Sequence, residues 1–365
     1  MPAPHRIAVI PGDGVGPEVI EQGLKVLAQA SELFGFSYAT TNFPFGSEHY
    51  LATGELLPDG QLDRFRSFDA ILLGAIGDPR LPAGLVERGV IAAIRFGLDL
   101  YINLRPIKLY AERLCPIKGK TPADVDMVVV RENTEDLYTG MGGYFKRGTP
   151  DEVVIANQIF TRKGCERAVR YAFALAQARG KQKKLTLVDK ANAIEVQSLW
   201  RRTVEEVARD YPDVAFDFAY IDAACMWMVK NPEGFDVIVT PNLFGDILTD
   251  LGAMVQGGMG IAASGNIHPG QVSLFEPIHG SAPKYKGRDV VSPIAAIAAV
   301  GMMLEYLGEK PAAQAIEAAI ASLVSSERIP SLDASSGLGT AQIGAMVCDE
   351  LARERMPAAS AKRTT

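Results

Sequence analysis

Short apolar runs recur along the chain. They hold four or five residues, are rich in β-branched side chains and mostly do not alternate with polar positions. They lie at residues 7–10, 70–73, 127–130, 185–188 and 235–239. Short, mostly apolar runs of this length are typical of strands in a sheet that is covered on both faces. The pattern therefore predicts buried strands.

Amphipathic segments between these runs predict helices. One helix begins at Pro17, because proline is favourable at the first helical position. Another runs from about residue 164 to residue 179, where Gly180 follows as a C-terminal stop. Alternating strands and helices predict an α/β protein with a sheet flanked by helices.

Length and composition fit one large domain or two smaller ones. The chain has 365 residues, of which 48% are hydrophobic and 22% charged, as in an ordinary globular protein. The formal net charge of −6 gives no electrostatic reason to expect nucleic acid or an anionic membrane as a partner. We therefore expect a protein that acts on a small molecule.

The cysteines and the first residues bear on the compartment. Cys115, Cys165, Cys225 and Cys348 lie far apart and form no Cys-x-x-Cys pair, which argues against a disulfide framework or a structural zinc site. The first residues lack an apolar signal region, and no stretch approaches the roughly 18 apolar residues of a membrane span. We expect a cytoplasmic protein.

Polar side chains follow three of the predicted strands, at the point where each strand ends. These groups are Arg131, Glu132, Asn133 and Tyr138; Asp189, Lys190 and Asn192; and Asn242, Asp246 and Asp250, the last group with Gly245 directly before Asp246. Functional groups of open α/β sheets collect just past the carboxyl ends of strands. This concentration indicates a functional site.

Asp246 and Asp250 are four residues apart, which on a helix puts both carboxylates on one face. A cation between them would relieve their repulsion, and oxygen ligands favour Mg²⁺ or Mn²⁺. The alternative is a pair of solvated aspartates. Asp222, a third carboxylate, lies in a short apolar run, where an unpaired charge would be costly.

Three arginines, Arg95, Arg105 and Arg131, are candidates for holding a substrate that carries carboxylates, because arginine binds such groups bidentately. Pro106 forces an extended backbone at Arg105, so this residue is not an ordinary arginine of a helix surface. Taken singly, each arginine is more often part of a surface ion pair.

Two glycine-rich segments invite comparison with nucleotide-binding loops. The glycines of residues 11–17 are spaced two and two, unlike the G-x-G-x-x-G of a Rossmann fingerprint. Residues 276–283 place His279 beside small residues whose backbone amides can approach a ligand. A tight structural turn is the alternative.

Six ordered motifs of this sequence resemble those of the β-decarboxylating dehydrogenases, the isocitrate/isopropylmalate dehydrogenase family. The motifs lie at residues 10–18 (IPGDGVGPE), 103–106 (NLRP), 131–138 (RENTEDLY), 189–192 (DKAN), 242–250 (NLFGDILTD) and 275–283 (FEPIHGSAP). The resemblance covers about residues 6 to 345. It implies a two-domain, non-Rossmann α/β fold and chains that pair as homodimers.

The resemblance also implies the bounds and functions of the two domains. Residues 1–102 plus 254–365 would form a nucleotide-binding domain. Residues 103–253 would form the domain for substrate, metal and dimerisation. One metal-binding aspartate would cross the dimer interface.

Roles for individual residues follow from the same resemblance. Lys190 would help to remove the C2 hydroxyl proton of the substrate, and Tyr138 would protonate the enolate left after decarboxylation. Other predicted roles are carboxylate binding by Arg95, Arg105 and Arg131; Mg²⁺ or Mn²⁺ binding by Asp222, Asp246 and Asp250; and coenzyme binding by Asn192, Glu276, His279, Gly280, Ser281, Ala282, Pro283 and Asp289.

The segment before Arg95 is expected to recognise the substituent at C3 of the substrate. Isocitrate enzymes of the family carry serine and asparagine there, whereas this chain has Gly89 and Ile91. The resemblance therefore favours 3-isopropylmalate, oxidised to 4-methyl-2-oxopentanoate in leucine biosynthesis. Ala92 and Ala193 are smaller than is usual in that branch, which suggests tolerance of a bulkier 3-alkyl- or 3-arylmalate.

Lys284 and Tyr285 bear on coenzyme choice. In the family, this pair is found in NADP-using isocitrate enzymes, whereas NAD enzymes have an aspartate that accepts from the ribose hydroxyl. Asp289 lies nearby and offers such a carboxylate. We favour NAD.

Two rival interpretations stay open. The first is the same chemistry on D-malate, tartrate or a bulkier malate. The second is a catalytically silent regulatory subunit of this fold, which predicts loss of Lys190, Tyr138 or one of the metal-binding aspartates. All of these residues are present.

Overall fold

The computed structural model describes residues 3–355, and their secondary structure confirms an α/β protein. The chain divides into two compact units. Unit 1 holds Met1–Leu98, Tyr110–Leu114 and Gly257–Thr365, and unit 2 holds Asp99–Leu109 and Cys115–Gln256. Each is described by itself.

Unit 1 contains five strands in the order β2-β1-β3-β12-β11. Its strands are β1 (His5–Gly12), β2 (Tyr38–Asn42), β3 (Ala70–Ala75), β11 (Ala263–Ile267) and β12 (Ser273–Pro277). The first four strands of that order run parallel, and β11 pairs antiparallel with β12.

The helices of unit 1 are α1 (Gly16–Phe34), α2 (Ser47–Thr53), α3 (Gln61–Phe65), α4 (Ala93–Gly97), α9 (Ile294–Tyr306), α10 (Lys310–Ser325) and α11 (Thr340–Arg355). A π-helical segment, Glu87–Ala92, leads directly into α4. The helix α1 packs against α9, α10 and α11, and α9 also packs against β11 and β12. The wholly buried strand β3 and the largely buried helix α9 contribute to the core of this unit.

Unit 2 contains strands in the order β4-β5-β10-β8-β9. They are β4 (Ile102–Lys108), β5 (Asp126–Glu132), β8 (Lys184–Asp189), β9 (Ala215–Tyr220) and β10 (Val237–Thr240). β4 pairs antiparallel with β5, and the remaining pairs are parallel. The parallel strands β5, β10 and β8 are neighbours, so their carboxyl ends meet at one edge of the sheet.

The helices of unit 2 are α5 (Arg162–Arg179), α6 (Ser198–Val207), α7 (Ile221–Lys230) and α8 (Asn242–Val255). The helix α8 packs against β4, β5 and α7. A separate hairpin joins β6 (Gly142–Phe145) to β7 (Val153–Ala156), and all of its strand residues are exposed.

The five strands predicted from apolar runs are confirmed as β1, β3, β5, β8 and β10. Both predicted helices are also present. Pro17 lies in the first turn of α1, and Gly180 ends α5 in the left-handed conformation, with φ +61°. Thr161 begins α5 because its side chain accepts a hydrogen bond from the Gly164 amide.

Within residues 3–355, no helix has both the length and the apolar character needed to cross a membrane.

Candidate active site

Arg131 lies at the end of β5 and is 1% exposed. Its Nε donates to Asn242 Oδ1 at 2.9 Å, and its Nη1 donates to Asp246 Oδ1. Gly245 makes this approach possible, because a Cβ at that position would lie 2.5 Å from Arg131 Cγ. The side chain of Arg131 is thus held beneath α8 with its guanidinium against a part-exposed carboxylate.

Arg105 is buried in β4, where Pro106 follows it in extended backbone, as predicted. Its Nε donates to Asn103 Oδ1 at 2.7 Å, and its Nη1 donates to Thr249 Oγ1 at 2.6 Å. The same guanidinium lies 3.4 Å from Asp250 Oδ1 and 3.8 Å from Asp246 Oδ1. These bonds hold its charge beside both aspartates of α8.

Asp246 and Asp250 share one face of α8, with 40% and 55% of their side chains exposed. Arg105 forms ion pairs with both carboxylates, and Arg131 forms one with Asp246. Part-exposed oxygen donors one helical turn apart suit Mg²⁺ or Mn²⁺, which keep water or substrate in their remaining positions. The donor set therefore fits the expected metal.

Asp222 belongs to a different cluster. It lies in the first turn of α7, and its Oδ1 is 2.7 Å from Lys190 Nζ. The hydrogen bond from Lys190 lowers the pKa of the Asp222 carboxyl below its usual range. In the described part of the chain, no group of three or more histidine, cysteine or acidic side chains is arranged to hold one metal ion. Within a single chain, Asp246 lies beside Asp250 on α8, whereas Asp222 is paired with Lys190.

Tyr138 lies on the 3₁₀ turn Asp136–Thr139, close behind the end of β5. Its hydroxyl donates to Asp246 Oδ2 at 2.6 Å, and the Arg131 guanidinium carbon is 5.2 Å from the centre of its ring. Both interactions fix the phenol oxygen beside Asp246, one of the aspartates predicted to bind metal. A phenol in this position can exchange a proton with a bound substrate.

Lys190 follows β8, and its Nζ lies 5.7 Å from the Tyr220 ring centre in addition to contacting Asp222. Its backbone amide donates to Gln197 Oε1 at 2.6 Å. The neighbouring Asp189 is fully buried and is bound by Arg201, with Nε to Oδ2 at 2.6 Å and Nη2 to Oδ1 at 2.9 Å. Asn192 is exposed in the turn that follows Lys190.

Arg95 and Glu276 form an ion pair in unit 1. Arg95 Nη2 lies 3.1 Å from Glu276 Oε1, which also accepts from Asn266 Nδ2 at 2.7 Å. Arg95 Nε is buried and has no hydrogen-bond partner among the described residues. An unsatisfied buried donor is rare and indicates that a further polar group belongs there. Ile91, one turn earlier, is part-exposed in the π-helical segment.

The loop of residues 279–283 follows β12 in unit 1. His279 Nδ1 is 3.0 Å from Gly280 O, and its buried Nε2 finds no hydrogen-bond partner in the described part of the chain. Burial lowers the pKa of His279, which favours the neutral imidazole. A Cβ added to Gly280 would meet nothing within 4 Å. The unpartnered Nε2 of His279 and the open space beside the Gly280 backbone would suit a bound nucleotide.

The rest of this loop is fixed by unit 1. Ser281 O accepts from the Val15 amide at 2.9 Å, Ala282 adopts a left-handed φ of +40°, and Pro283 begins a 3₁₀ turn. Lys284 Nζ lies 4.7 Å from the centre of the Tyr285 ring. Asp289 Oδ1 accepts from the Ala341 amide at 2.9 Å, so this carboxylate already serves the start of α11. Its predicted bond to a ribose hydroxyl stays a prediction.

Two acidic residues of the 131–138 segment have contacts that sequence reasoning missed. Glu132 is buried, and its carboxylate accepts from the amides of Thr134 and Glu135. Burial raises its pKa to about 7. Asp136 is buried with φ +69°. No local pattern marks either role, because both depend on the folded backbone.

The sheet edge, the two buried arginines and the tyrosine on an aspartate together define an α/β enzyme that handles a small anionic substrate. Residues 6–347 match the protein family described as isocitrate/isopropylmalate dehydrogenase. The chain belongs to this family.

Named relatives agree with this assignment. The 3-isopropylmalate dehydrogenase of Thermobifida fusca is 50% identical, over 87% of this chain and 90% of that protein. The enzyme of the same name from Nocardia farcinica is 51% identical, over 87% and 93%. The solved structure of isocitrate dehydrogenase from Methylococcus capsulatus is 37% identical, with a TM-score of 0.84, over 95% of this chain and 99% of that one.

These findings confirm the predicted family and fold. The chain is a decarboxylating dehydrogenase that acts on a CH–OH group of a small molecule, in a family that depends on NAD(P) and a divalent metal.

Proposed function

We propose that this enzyme oxidises and decarboxylates 3-isopropylmalate to 4-methyl-2-oxopentanoate with NAD, as a step of leucine biosynthesis. The observation that carries the proposal is the Tyr138 hydroxyl on Asp246, beside the buried Arg105 and Arg131. These groups match what the reaction needs: a proton donor, a metal-binding carboxylate and cations for substrate carboxylates. The names of the relatives that are about half identical supply the substrate.

The reaction can be written with its protons and electrons balanced. The C2 hydroxyl of the substrate loses a proton and C2 loses a hydride, which together give a ketone. The bond from C3 to its carboxylate then breaks and CO₂ leaves, so the electron pair stays as an enolate. One proton added at C3 completes the product. When bound, the coenzyme accepts the hydride and the metal stabilises negative charge on the substrate oxygens.

The residues of the chain would act on the substrate and its protons. Lys190 assists removal of the hydroxyl proton. Tyr138 delivers the proton to C3. Its hydroxyl donates a hydrogen bond to Asp246, so it carries the proton that a general acid needs. Arg95, Arg105 and Arg131 hold the two carboxylates of the substrate, which orients C2 and C3 for reaction.

The metal would be held by Asp246 and Asp250 of one chain and Asp222 of a second copy. The separation of Asp222 from the α8 pair into its own cluster with Lys190 supports a shared site.

Exposed apolar side chains on α7 and α8 support a homodimer formed through unit 2. Met226 is 72% exposed, Trp227 54%, Ile247 54% and Met254 54%. Large apolar residues at such exposure on two helices that pack together are typical of an interface. The same pairing would bring Asp222 of one copy to the aspartates of the other.

Coenzyme binding is assigned to unit 1. Glu276, residues 279–283 and Asp289 lie in that unit, whereas Asn192 lies in unit 2. The orphaned Nε2 of His279 and the open backbone at Gly280 support this assignment. The stacking of Lys284 on Tyr285 draws its charge toward an aromatic ring, which supports NAD over a phosphorylated coenzyme.

The cytoplasm is the proposed compartment. Its support is the four cysteines, which are all free thiols.

A substrate panel tests the proposed function. NADH or NADPH formation is followed by absorbance with 3-isopropylmalate, 3-benzylmalate, D-malate, tartrate and isocitrate, each with Mg²⁺ and either coenzyme. We expect the highest kcat/KM with 3-isopropylmalate and NAD. A higher value with 3-benzylmalate would assign the bulkier substrate suggested by Ala92 and Ala193. Turnover of none of these acids would contradict the proposal.

A further inference from the structure

The turn that carries Tyr138 begins with a residue in an unusual backbone conformation. Asp136 has φ +69°, in the left-handed region that favours glycine, and it is only 1% exposed. Aspartate tolerates this region better than most residues, but the conformation still costs free energy. Backbone outliers of this kind persist where surrounding interactions hold them, and they cluster at functional sites.

The carboxylate of Asp136 bridges two segments. Its Oδ1 accepts from the Leu137 amide at 2.9 Å, within the turn. Its Oδ2 accepts from the Leu243 amide, 107 residues away in the first turn of α8, also at 2.9 Å. The backbone amide of Asp136 donates to Ile159 O at 2.8 Å, so its main chain is anchored as well. One buried side chain therefore joins the turn to the start of the helix.

The two joined segments carry the two ends of the Tyr138–Asp246 hydrogen bond. Tyr138 is two residues after Asp136, and Asp246 is three residues after Leu243. Asn242 Nδ2 adds a second tie, to Glu135 O at 3.2 Å. Because a hydrogen bond weakens steeply with angle, a small shift of the turn along α8 would misplace the phenol oxygen. Asp136 lies where it limits that shift.

We propose that Asp136 is a positioning residue, which sets the place of the Tyr138 hydroxyl relative to Asp246 and so governs proton delivery to C3. The inference rests on the proposed function, because it takes Tyr138 as the proton donor. Asp136 is buried, and its hydrogen bonds join it to backbone groups of the chain. With this left-handed backbone, the Asp136 carboxylate reaches the first turn of α8. Its hydrogen bonds then hold the 3₁₀ turn of Tyr138 in place.

Two substitutions separate the side chain from the backbone. Asp136→Gly keeps the left-handed conformation and removes the carboxylate. Asp136→Asn retains one oxygen, which can accept from the Leu243 amide, and asparagine also tolerates this conformation. A third variant, Glu327→Gly, is the backbone control, because Glu327 has φ +61° in an exposed part of unit 1.

The readouts are kcat and KM for 3-isopropylmalate, and the exchange of the C3 protons of 4-methyl-2-oxopentanoate with D₂O in the presence of NADH and Mg²⁺. For Asp136→Gly we expect both kcat and the exchange rate to fall about tenfold, with KM within about twofold of the unsubstituted value. We expect Asp136→Asn to retain most of both rates, and Glu327→Gly to retain both. Urea unfolding of all the variants shows whether each is folded.

The outcomes distinguish this inference from the proposed function. Unsubstituted rates in Asp136→Gly would overturn the inference alone, as would rates in Asp136→Asn as low as those in Asp136→Gly. Absence of turnover in the unsubstituted enzyme would overturn the proposed function and this inference together.

Discussion

At the scale of single residues, loss of the Tyr138 hydroxyl should affect the chemical step and leave substrate binding nearly unchanged. We expect Tyr138→Phe to lower kcat by about a hundredfold or more while changing KM little, because general acid catalysis is typically of that size. The ring keeps its place over Arg131, so substrate binding should survive. Steady-state kinetics with 3-isopropylmalate measure both constants. A rise in KM of similar size, with kcat unchanged, would instead assign Tyr138 to substrate binding.

Glu132 gives a prediction for pH. Its folded pKa of about 7 lies above the usual 4.5, so the folded state holds its proton more tightly than the unfolded state between those values. This contribution to stability is therefore fully present below about pH 4.5 and is lost as the pH rises through about 7. It amounts to on the order of 3 kcal/mol.

The test compares the unsubstituted protein with Glu132→Gln by urea unfolding at about pH 5 and about pH 8. Glutamine forfeits the bond from the Glu135 amide, so the variant should be less stable than the unsubstituted protein at about pH 5. Because glutamine does not titrate, the variant should not show the decline in stability that the glutamate produces, and the difference between the two proteins should shrink or reverse at about pH 8. An equal decline in the two proteins would show that Glu132 is not the titrating group.

The sequence predicted the residues of the site better than their partners. Tyr138, Asp246 and Arg131 follow strand ends and belong to recognisable motifs. Asp136 lies in the same motif, but its role depends on a positive φ and on an amide 107 positions away. A local pattern of residue types reports neither the φ angle of Asp136 nor its distant hydrogen-bond partner.

At the scale of elements, the glycine-rich turn after β1 has a structural role that its spacing left open. A Cβ at Gly14 would lie 1.9 Å from Ser281 O, and the next amide, of Val15, donates to that oxygen. Asp13 fixes the turn through Ser47 Oγ at 2.7 Å and the Gly77 amide at 2.9 Å. The turn thus supports the proposed coenzyme loop rather than binding phosphate as a Rossmann loop.

We expect Gly14→Ala to raise the Kd for NADH about tenfold, because the methyl group must displace the Ser281 backbone. Gly35→Ala is the matched control. Gly35 also has a positive φ, of +76°, but an added Cβ there meets nothing within 4 Å. Fluorescence titration gives both constants. Similar Kd values for the two variants would mean that backbone strain, and not the contact with Ser281, determines the effect.

Strands were predictable where burial alone sets the pattern. The wholly buried strands β3 and β10 were found from their apolar runs, whereas β9, an edge strand with exposed and part-exposed residues, has no such run. No pattern in the sequence marks the segment Glu87–Ala92 as π-helical. Leu56 packs against Gly89 in this segment, where an added Cβ would come within 2.2 Å of Leu56 Cδ1.

At the scale of the whole molecule, each unit is assembled from segments that are distant in sequence. Apolar periodicity does not report which strands become neighbours, so a division of this kind was inferred from the family resemblance. The proposed dimer goes one step further, because it completes a metal site that a single chain leaves divided.

Mixing two inactive variants tests the shared site. Asp222→Asn and Asp246→Asn should each be nearly inactive, because each removes a metal-binding carboxylate. After unfolding and refolding together, random pairing should restore about a quarter of the unsubstituted activity, since half of the dimers are mixed and each has one intact site. A mixture of Asp246→Asn with Asp250→Asn is the control and should stay inactive. No recovery in the first mixture would assign Asp222 to its own chain.

The complete reaction can be followed in one sample. NMR of 3-isopropylmalate incubated with the enzyme, NAD and Mg²⁺ measures substrate and products, and NADH absorbance measures the electrons transferred. We expect 4-methyl-2-oxopentanoate, CO₂ and NADH to appear in equal amounts, and none to appear with Tyr138→Phe on the same timescale. NADH without CO₂, or no change in the substrate, would contradict the proposed reaction.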